Sequence, residues 1–439
     1  MALGGGIFQT QNKTLPGSYL NFVSAARASA TLSDRGVATM PLPLDWGPEG
    51  KIVSITAREF QKDSLKLLGY PYNHEKLKGL RDLFQNITEA HLFRLNAGGT
   101  AASNDYAAAR WPGTRGNALK LVIEAGEGST ESESVYDVST WLDETLVETQ
   151  KGIKTAADLA DNDFVIFKKD AALALTAGKP LTGGTDGQVQ DGAYQTYLDK
   201  VEAYSFNVLG CPATSEAVKG LMANFTKRLR DECGVKFQCV LFRYNKADYE
   251  GVISVENGLE GSKDDPSAVY WTTGSEAGCP VNKSRTNAKY DGEFAIDTDY
   301  TQAQLEDGLK AGKLLFHRVG DEVRLLEDVN TFVSATDSKS ADFSSNQTVR
   351  VLDQIGNDIA VLFNTKYLGQ VPNDNAGRIS LWADIVKHHQ ELQTLRAIQN
   401  FTSENVTVEA GGTKKAVVVT DHVEPVSAMA QLYMTIIVE

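Results

Sequence analysis

The chain has 439 residues, of which 42% are hydrophobic and 23% are charged; this composition is typical of folded globular proteins and excludes a wholly disordered chain. The 57 acidic residues outnumber the 43 basic ones and give a net charge of −14; because no Lys/Arg-rich run is present, nucleic acid and anionic membranes are disfavoured as partners. No apolar stretch approaches the roughly 18–20 residues that span a bilayer, so we expect a soluble protein without membrane insertion.

The length and the cysteines of the chain indicate how many domains it has and in which compartment it lies. At about 150 residues per domain, the length predicts roughly three domains. The four cysteines form no Cys-x-x-Cys pair, and the N-terminus has no basic segment followed by an apolar one. Reduced thiols and a cytoplasmic location are therefore expected.

The first twenty-odd residues predict a flexible arm. Gly4-Gly5-Gly6 favours flexibility, and Tyr19 to Val23 is β-prone without a strand-like neighbour in the sequence. Compact patterning begins after Asn73, a candidate helix N-cap, because residues 77–87 carry apolar side chains at helical spacing. Residues 91–95 then predict a strand.

Residues 96–187 predict a small β-sandwich. Short β-type runs at 119–124, 134–138 and 164–167 alternate with clusters of Gly, Ser, Thr and Asn, which is the spacing of an antiparallel sandwich. Residues 121–165 hold eleven acidic residues and only two lysines. We interpret them as a solvated outer face, since they show no EF-hand-like period.

The next region predicts a parallel α/β sheet. A strand at 204–209, a helical stripe from Val218 to Leu229 and a strand at 236–242 form a βαβ pattern. Farther on, Thr301 with Gln304 resembles a capping box, and Gly320-Asp321 between two β-type runs indicates a hairpin.

The last hundred residues predict two helices followed by two strand segments. The first helix carries an apolar stripe from Val349 to Leu362, and the second carries one from Trp382 to Leu395. A segment from Val408 to Val419 turns at Gly411-Gly412, and a run from Leu432 to Val438 ends the sequence. A strand in this last position needs a sheet edge to pair with.

Motifs for catalysis, metals and nucleotides are weak. The stretch around Ser427 faintly resembles a subtilase nucleophile segment but lacks the preceding Gly-Thr and the upstream Asp and His motifs. His388 and His389 are adjacent on a helix and point in different directions, so we expect one in the core and one in solvent. Cys233 and Cys239 are interpreted as buried hydrophobic residues. No glycine-rich run has a phosphate-loop pattern, so we expect no catalytic residue, metal or cofactor.

Two glycine-rich stretches do carry a resemblance. Residues 110–117, Arg-Trp-Pro-Gly-Thr-Arg-Gly-Asn, resemble the A-x-Y-P-G-x-x-G-N-x-L segment of contractile tail sheath proteins, and residues 181–187 resemble their L-x-G-G-x-D-G junction. Residues 11–17 are similar to sheath proteins of Gram-positive prophages and R-type bacteriocins. Trp111 and Arg115 depart from the pattern, in which tyrosine and an aromatic residue are common. The motif turns contain Pro112, Gly113, Gly116, Asn117, Gly183, Gly184, Asp186 and Gly187.

The resemblance covers the whole chain and implies an α/β multi-domain fold. It combines a β-sandwich domain, a subtilisin-like α/β domain that is a scaffold without a triad, and an α+β C-terminal domain, with extended terminal arms that pair with neighbouring subunits. The implied parts are an N-terminal arm (1–23), a small N-terminal domain (24–95), the β-sandwich (96–187), the α/β domain (188–335), the C-terminal domain (336–430) and a C-terminal arm strand (431–439).

The implied function is mechanical. Sheath subunits form stacked hexameric rings around a tail tube and contract to drive the tube through the target cell envelope. The implied partners are further copies of the chain, the tail tube protein, and baseplate and tail terminator proteins. Such particles assemble in the bacterial host cytoplasm and become part of a phage tail or a released bacteriocin.

The resemblance also places candidate contact residues. The arm residues that would pair with neighbours are Tyr19, Leu20, Phe22, Val23, Leu432, Met434, Ile436 and Val438. A group of cations on an otherwise acidic chain is the candidate tube-facing set, with a solvent-facing helix side as the equal alternative: Arg378, Lys387, His388 and Arg396.

Two other functional classes remain as alternatives. A degenerate or atypical hydrolase would use the α/β domain, but the required Ser and His contexts are absent from the sequence. A self-assembling surface-layer or shell protein would also polymerise, but it should carry a secretion signal.

Overall fold

The computed structural model describes residues 32–130 and 132–438. They divide into a central unit of residues 33–357, 395–399 and 425–438, and a C-terminal unit of residues 358–394 and 400–424. None of the described helices is long and apolar enough to cross a bilayer. The strands are β1 (Val37–Leu42), β2 (Ile52–Thr56), β3 (Glu89–Arg94), β4 (Ala107–Ala109), β5 (Leu119–Ala125), β6 (Tyr136–Leu142), β7 (Thr145–Ile153), β8 (Val165–Phe167), β9 (Thr176–Pro180), β10 (Val208–Cys211), β11 (Gln238–Phe242), β12 (Val252–Val255), β13 (Phe316–Val319), β14 (Glu322–Leu325), β15 (Ile398–Gln399), β16 (Val406–Ala410), β17 (Val417–Asp421) and β18 (Glu424–Pro425). The helices are α1 (Ala57–Leu68), α2 (Lys78–Phe84), α3 (Asp191–Val201), α4 (Glu216–Asp231), α5 (Ala268–Gly278), α6 (Gln302–Lys310), α7 (Asn346–Leu362) and α8 (Asn375–Thr394).

A six-stranded sheet of order β12-β11-β10-β1-β3-β2 forms the centre of the central unit. All neighbouring strands are parallel except β2, which runs antiparallel to β3 at one edge. Ala38 of β1 pairs with Ala90 of β3 and with Val208 of β10. Residues 24–95 and 188–335 therefore contribute strands to one sheet. The predicted βαβ unit is confirmed, because β10 and β11 are parallel neighbours connected through α4.

Apolar side chains cover both faces of this sheet, as a parallel sheet requires. Along β11, Val240 and Phe242 belong to one core, and Cys239 and Leu241 belong to the other. The first core includes Trp271 of α5, a helix that is buried along nearly its whole length. The second core is closed by α3 and α4.

The region predicted as a sandwich forms antiparallel sheets around a third core. One sheet has the order β7-β6-β5-β9, and β4 pairs with β8 in a second. Leu119, Leu121 and Ile123 of β5 are at most 1% exposed and lie in this core, as period-two alternation requires. None of the acidic residues described between 121 and 165 is buried, which agrees with the predicted solvated face.

Local predictions in the central unit are mostly confirmed. Thr301 and Gln304 form the capping box that starts α6, and β13 and β14 form the predicted hairpin around Gly320. The Asn73 cap is wrong. The side chain of His74 instead caps a short 3₁₀ turn that precedes α2, because its Nδ1 accepts from the free amide of Lys76 at 3.2 Å.

In the C-terminal unit, α8 packs against the hairpin formed by β16 and β17. Its buried apolar side chains are Leu381, Ile385, Val386 and Leu392. Trp382 Nε1 donates to the carbonyl of Val406 at 3.0 Å. The turn at Gly411-Gly412 predicted from the sequence is confirmed, since these residues lie between β16 and β17.

Candidate functional site

The two sheath-like motif turns lie in direct contact. Asn117 Nδ2 donates to the carbonyl of Gly184, and the amide of Gly184 donates back to Asn117 Oδ1, each at 2.8 Å. Thr114 donates to the Asp186 carboxylate from its amide at 3.0 Å and from its hydroxyl at 2.7 Å. Gly183 beside them has a φ of +81°, a conformation that favours glycine. These bonds join the start and the end of the sandwich region.

Three motif glycines lie where the backbone leaves no room for a side chain. A Cβ on Gly187 would be 2.0 Å from the carbonyl oxygen of Ala97, and one on Gly184 would be 2.5 Å from that of Gly113. Gly113 has a φ of +136°, and its Cβ would lie 2.1 Å from the carbonyl oxygen of Asp45. The junction therefore depends on close backbone approach.

Replacing Gly187 by alanine should lower the free energy of unfolding by about 1–3 kcal/mol, because the added methyl group meets a fixed carbonyl. Gly192 in α3, whose Cβ position has no atom within 4 Å, is the matched control. Gly192→Ala should be neutral or stabilising by up to about 1 kcal/mol. Urea unfolding of both variants measures this, and equal stabilities would contradict the close approach at Gly187.

Two buried arginines complete the junction, and their role could not be predicted from the sequence. Arg94 is 2% exposed and donates to the Pro112 carbonyl at 2.7 Å; burial lowers the pKa of its guanidinium. Arg115, which departs from the family pattern, forms a two-bond pair with Asp143 at 2.5 and 3.2 Å. Its guanidinium also lies 4.3 Å from the ring centre of Tyr70. A lone arginine in a sequence gives no signal of such burial, since most arginines are exposed.

The C-terminal arm residues are exposed and unpaired by any strand in the described chain. Leu432, Met434, Ile436 and Val438 are 85, 70, 74 and 89% exposed, and residues 426–438 form no strand. Isolated apolar residues on a surface are ordinary, but a consecutive run of them marks an interaction segment. The N-terminal arm candidates Tyr19, Leu20, Phe22 and Val23 lie outside the described residues.

An open sheet edge lies in the C-terminal unit. Within the described residues, β17 pairs only with β16, and its Val418 and Val419 are 51 and 40% exposed. A groove of about 450 Å³ beside the strand is lined by Phe363, Leu381 and Val417, among others. An unpaired edge next to an apolar groove can accept an added strand.

The adjacent histidines of α8 are both buried, so the expectation that one faces solvent is wrong. His388 Nε2 lies 3.0 Å from Asp358 Oδ2, and His389 Nε2 lies 2.8 Å from Asp421 Oδ2. Each ring is buried because it has its own carboxylate partner. A side chain with 0% exposure cannot meet a tube, which removes His388 from the tube-facing set.

The other three cations do not share one face of α8. Arg378 and Lys387 are nine positions apart, which places them about 180° apart around a helix. Arg378 is half-buried and donates to the backbone and side-chain oxygens of Asn373 at 3.2 and 3.0 Å, whereas Lys387 is exposed. Arg396 is exposed and follows the end of the helix, with a φ of +61°.

Among residues 32–130 and 132–438, no cluster of three or more His, Cys, Asp or Glu is arranged to hold a metal. All four cysteines are free thiols. Cys239 is buried as predicted. The prediction for Cys233 is wrong, because this residue, which lies just after the end of α4, is exposed. Burial raises the pKa of the Cys211 thiol to about 12, so this thiol is unreactive.

The chain matches models of known protein families over most of its length. Sequence models of four tail sheath domains match consecutive parts of the chain. They are the domain III N-terminal region of tail sheath protein Gp18 (35–95), the phage tail sheath β-sandwich domain (97–186), the central domain (187–331) and the C-terminal domain (338–439).

Individual relatives match over nearly the full length. The "Phage-like element PBSX protein XkdK" of Bacillus subtilis (strain 168) is 30% identical, with 99% of both chains covered. The sheath tail protein of Desulfitobacterium hafniense is 36% identical, with a TM-score of 0.82 over 94% of this chain and 97% of that one. The contracted helical sheath of the anti-feeding prophage shares the fold at 13% identity, with a TM-score of 0.56 over 97% of this chain and 99% of that one. The chain therefore belongs to the phage tail sheath protein family, whose members are structural subunits rather than enzymes.

Proposed function

We propose that this sheath subunit polymerises as stacked hexameric rings around a tail tube and contracts to drive the tube through a target envelope. The observation that carries the proposal is the exposed apolar segment from Leu432 to Val438. Fully burying one such side chain is worth roughly 1.5–3 kcal/mol. A second copy of the chain that covers this segment would therefore gain free energy with each apolar side chain that it buries.

The acceptor in this proposal is the open edge of β17 in a neighbouring copy. Its unpaired backbone groups would bond the incoming strand, and the groove beside Phe363 and Leu381 would receive alternate side chains. The N-terminal arm, residues 1–23, would add a further strand from another neighbour. Contacts of this head-to-tail kind close into a ring where the rotation between copies allows it and otherwise propagate as a helical assembly, so they are compatible with stacked rings that form a tube.

Contraction is proposed to be a rigid-body rearrangement of subunits. Energy would be stored as a difference in intersubunit contacts between an extended and a contracted packing, with a kinetic barrier between them. The α/β domain (188–335) would be a subtilisin-like scaffold, which follows the sandwich (96–187) and precedes the C-terminal domain (336–430) in the sequence. The small N-terminal domain (24–95) and the C-terminal arm strand (431–439) complete the proposed division.

The proposed partners follow from this role. The exposed cations Lys387 and Arg396, with Arg378, are the candidates for tube contact. Baseplate and tail terminator proteins would bound the assembled sheath at its two ends. Assembly would take place in the bacterial host cytoplasm, before release of a phage or bacteriocin particle.

Removing residues 431–439 should abolish polymerisation while leaving the monomer folded, because these residues contribute no described side chain to any of the three cores. Electron microscopy of the purified protein at high concentration, alone and with tail tube protein, measures the result. We expect hollow tubes or stacked rings from the full chain and single subunits from the truncation. Deletion of residues 1–22 should have the same effect.

Point variants test which side of the added strand enters the groove, because adjacent residues of a strand face opposite sides of the sheet. Met434→Lys with Ile436→Lys places charges on one side, and Thr435→Lys places a charge on the other as the matched control. If Met434 and Ile436 enter the groove, only the double variant loses assembly. Tubes of normal length from the truncated chain would contradict strand exchange.

A further inference from the structure

One face of α7 contacts the described chain near both termini. Gln347, Arg350 and Gln354 are three and four positions apart, so they lie on the same side of the helix. They are 4, 1 and 4% exposed, although all three are polar. We refer to these residues as the anchor face of α7.

Gln354 binds Ser33, which lies ten residues after the end of the proposed N-terminal arm (1–23). Its Nε2 donates to Ser33 Oγ at 2.7 Å and to the Ser33 carbonyl at 3.2 Å. Two residues later, Arg35 donates from Nε to the carbonyl of Cys279 at 3.0 Å and from Nη2 to that of Glu276 at 3.2 Å. The first described residues are thus held by side-chain bonds before the sheet begins at β1.

Gln347 binds the chain three residues before the proposed C-terminal arm strand (431–439). The amide of Ala428 donates to Gln347 Oε1 at 2.9 Å. One step earlier, the amide of Val426 donates to the carbonyl of Ala397 at 2.9 Å. No further backbone hydrogen bond is described from residues 429–438, so Gln347 holds the last fixed point before the exposed segment.

The helix between these two contacts is itself fixed by buried charges. Arg350 Nη2 lies 2.5 Å from Glu276 Oε2 and 3.3 Å from Asp328 Oδ2. Asp353, on an adjoining side of the helix, receives two bonds from Arg230 at 2.6 and 2.8 Å. Buried charge pairs with several bonds resist local opening, because breaking one leaves an uncompensated charge.

We propose that the anchor face of α7 is the element through which tension passes between the two terminal arms of a subunit. Gln354 and Gln347 are seven residues apart, which is about 10 Å along a helix. A load on either arm would therefore reach the same two turns of helix, and would bypass the sandwich and most of the sheet. This inference rests on the proposed strand exchange, and it adds the residues that must hold when subunits reorient.

The test uses the full chain with Gln347→Ala and Gln354→Ala, singly and together. Asn357→Ala is the matched control: Asn357 is also an amide on α7 with two bonds, to the amide and carbonyl of Lys236 at 3.0 and 2.7 Å, but it contacts neither arm. Tubes assembled from each protein are sheared through a narrow needle and their lengths are measured by electron microscopy. Loss of one hydrogen bond increases local opening about fivefold, and the double variant loses three such bonds. We therefore expect double-variant fragments to be at least about fivefold shorter than those of the control.

A second readout is hydrogen exchange of the unassembled protein. The Ala428 amide should exchange about fivefold faster in Gln347→Ala than in Asn357→Ala. The proposal would be contradicted if the double variant and Asn357→Ala gave tubes of equal length, or if the Ala428 amide exchanged equally fast in Gln347→Ala and Asn357→Ala. If the unaltered chain forms no tubes even with tail tube protein, strand exchange has failed instead, and Ala428 exchange alone decides whether Gln347 fixes the arm.

Discussion

Arg350→Met should lower the free energy of unfolding by about 3–5 kcal/mol, because it leaves a buried acidic pair without its cation. The Arg350 side chain is 0% exposed and lies 2.5 Å from Glu276 and 3.3 Å from Asp328. It also donates to the carbonyl of Lys283 at 2.7 Å. Methionine fills most of the same volume, so the loss reports the charge and its bonds more than a cavity. Urea unfolding followed by circular dichroism measures the change.

An exposed ion pair provides the control. Arg318 lies 3.3 Å from Glu260, and the two side chains are 54 and 55% exposed. Arg318→Met should therefore change the free energy of unfolding by no more than about 1 kcal/mol. A loss of similar size in both variants would show that the Arg350 cluster is not a buried charge network.

Local features of the fold could be predicted from the sequence because their signals lie within a few residues. The capping box at Thr301 and the hairpin around Gly320 each depend on neighbouring groups. The strand–helix–strand order of β10, α4 and β11 likewise contains its own connection. The pairing of β1 with β10 could not be inferred in this way, because about 170 residues separate them and parallel register leaves no local pattern.

The spacing of apolar residues does not predict which side of a helix is buried when that side also carries charged residues. The sequence predicts that the apolar stripe of α7 is its buried side, yet Leu352 and Ile355 are only half-buried while Arg350 and Asp353 are buried. The period of the apolar residues identifies one face of a helix. It does not show whether the opposite face meets charged partners on elements that are distant in the sequence. For α5, buried on all sides, no amphipathic period exists to be found.

In the candidate site, too, some features could be predicted from the sequence and others could not. The motif turns could be identified by resemblance, and the structure shows their physical basis in the bonds between Asn117 and Gly184. The open edge of β17 became visible only once its sole described partner, β16, was known. His388 was misplaced because a histidine on a helix carries no signal for a carboxylate such as Asp358, 30 residues away.

The unfolding free energy should also depend on pH through Glu276. Burial, with a smaller contribution from the Asp328 carboxylate, raises the pKa of Glu276 to about 8, although Arg350 and Arg285 act in the opposite direction. The pKa of Asp328 is lowered by Arg350 in spite of its own burial. The two carboxyl groups therefore share one proton near neutral pH, with the charge on Asp328.

Whether the unfolding free energy rises or falls with pH depends on whether the folded or the unfolded protein holds the proton of Glu276. Above pH 4.5, the usual pKa of a glutamate, the unfolded chain has lost it, whereas the folded protein retains it up to about pH 8. The contribution of Glu276 is therefore complete below pH 4.5 and is lost as the pH rises through about 8. Within that window the unfolding free energy should fall by up to about 1.4 kcal/mol per pH unit.

Glu276→Gln isolates this contribution, because glutamine stays neutral while keeping a donor for Asp328. The variant should gain stability relative to the unaltered protein steadily between pH 5 and 8, as measured by urea unfolding at each pH. Glu322→Gln is the control: bonds from Lys289 and Arg324 lower the pKa of Glu322, so its effect should be constant over the same range. Parallel profiles for Glu276→Gln and the unaltered protein would mean that Glu276 is ionised when folded. Arg350 would then balance two buried negative charges, and its replacement should cost still more.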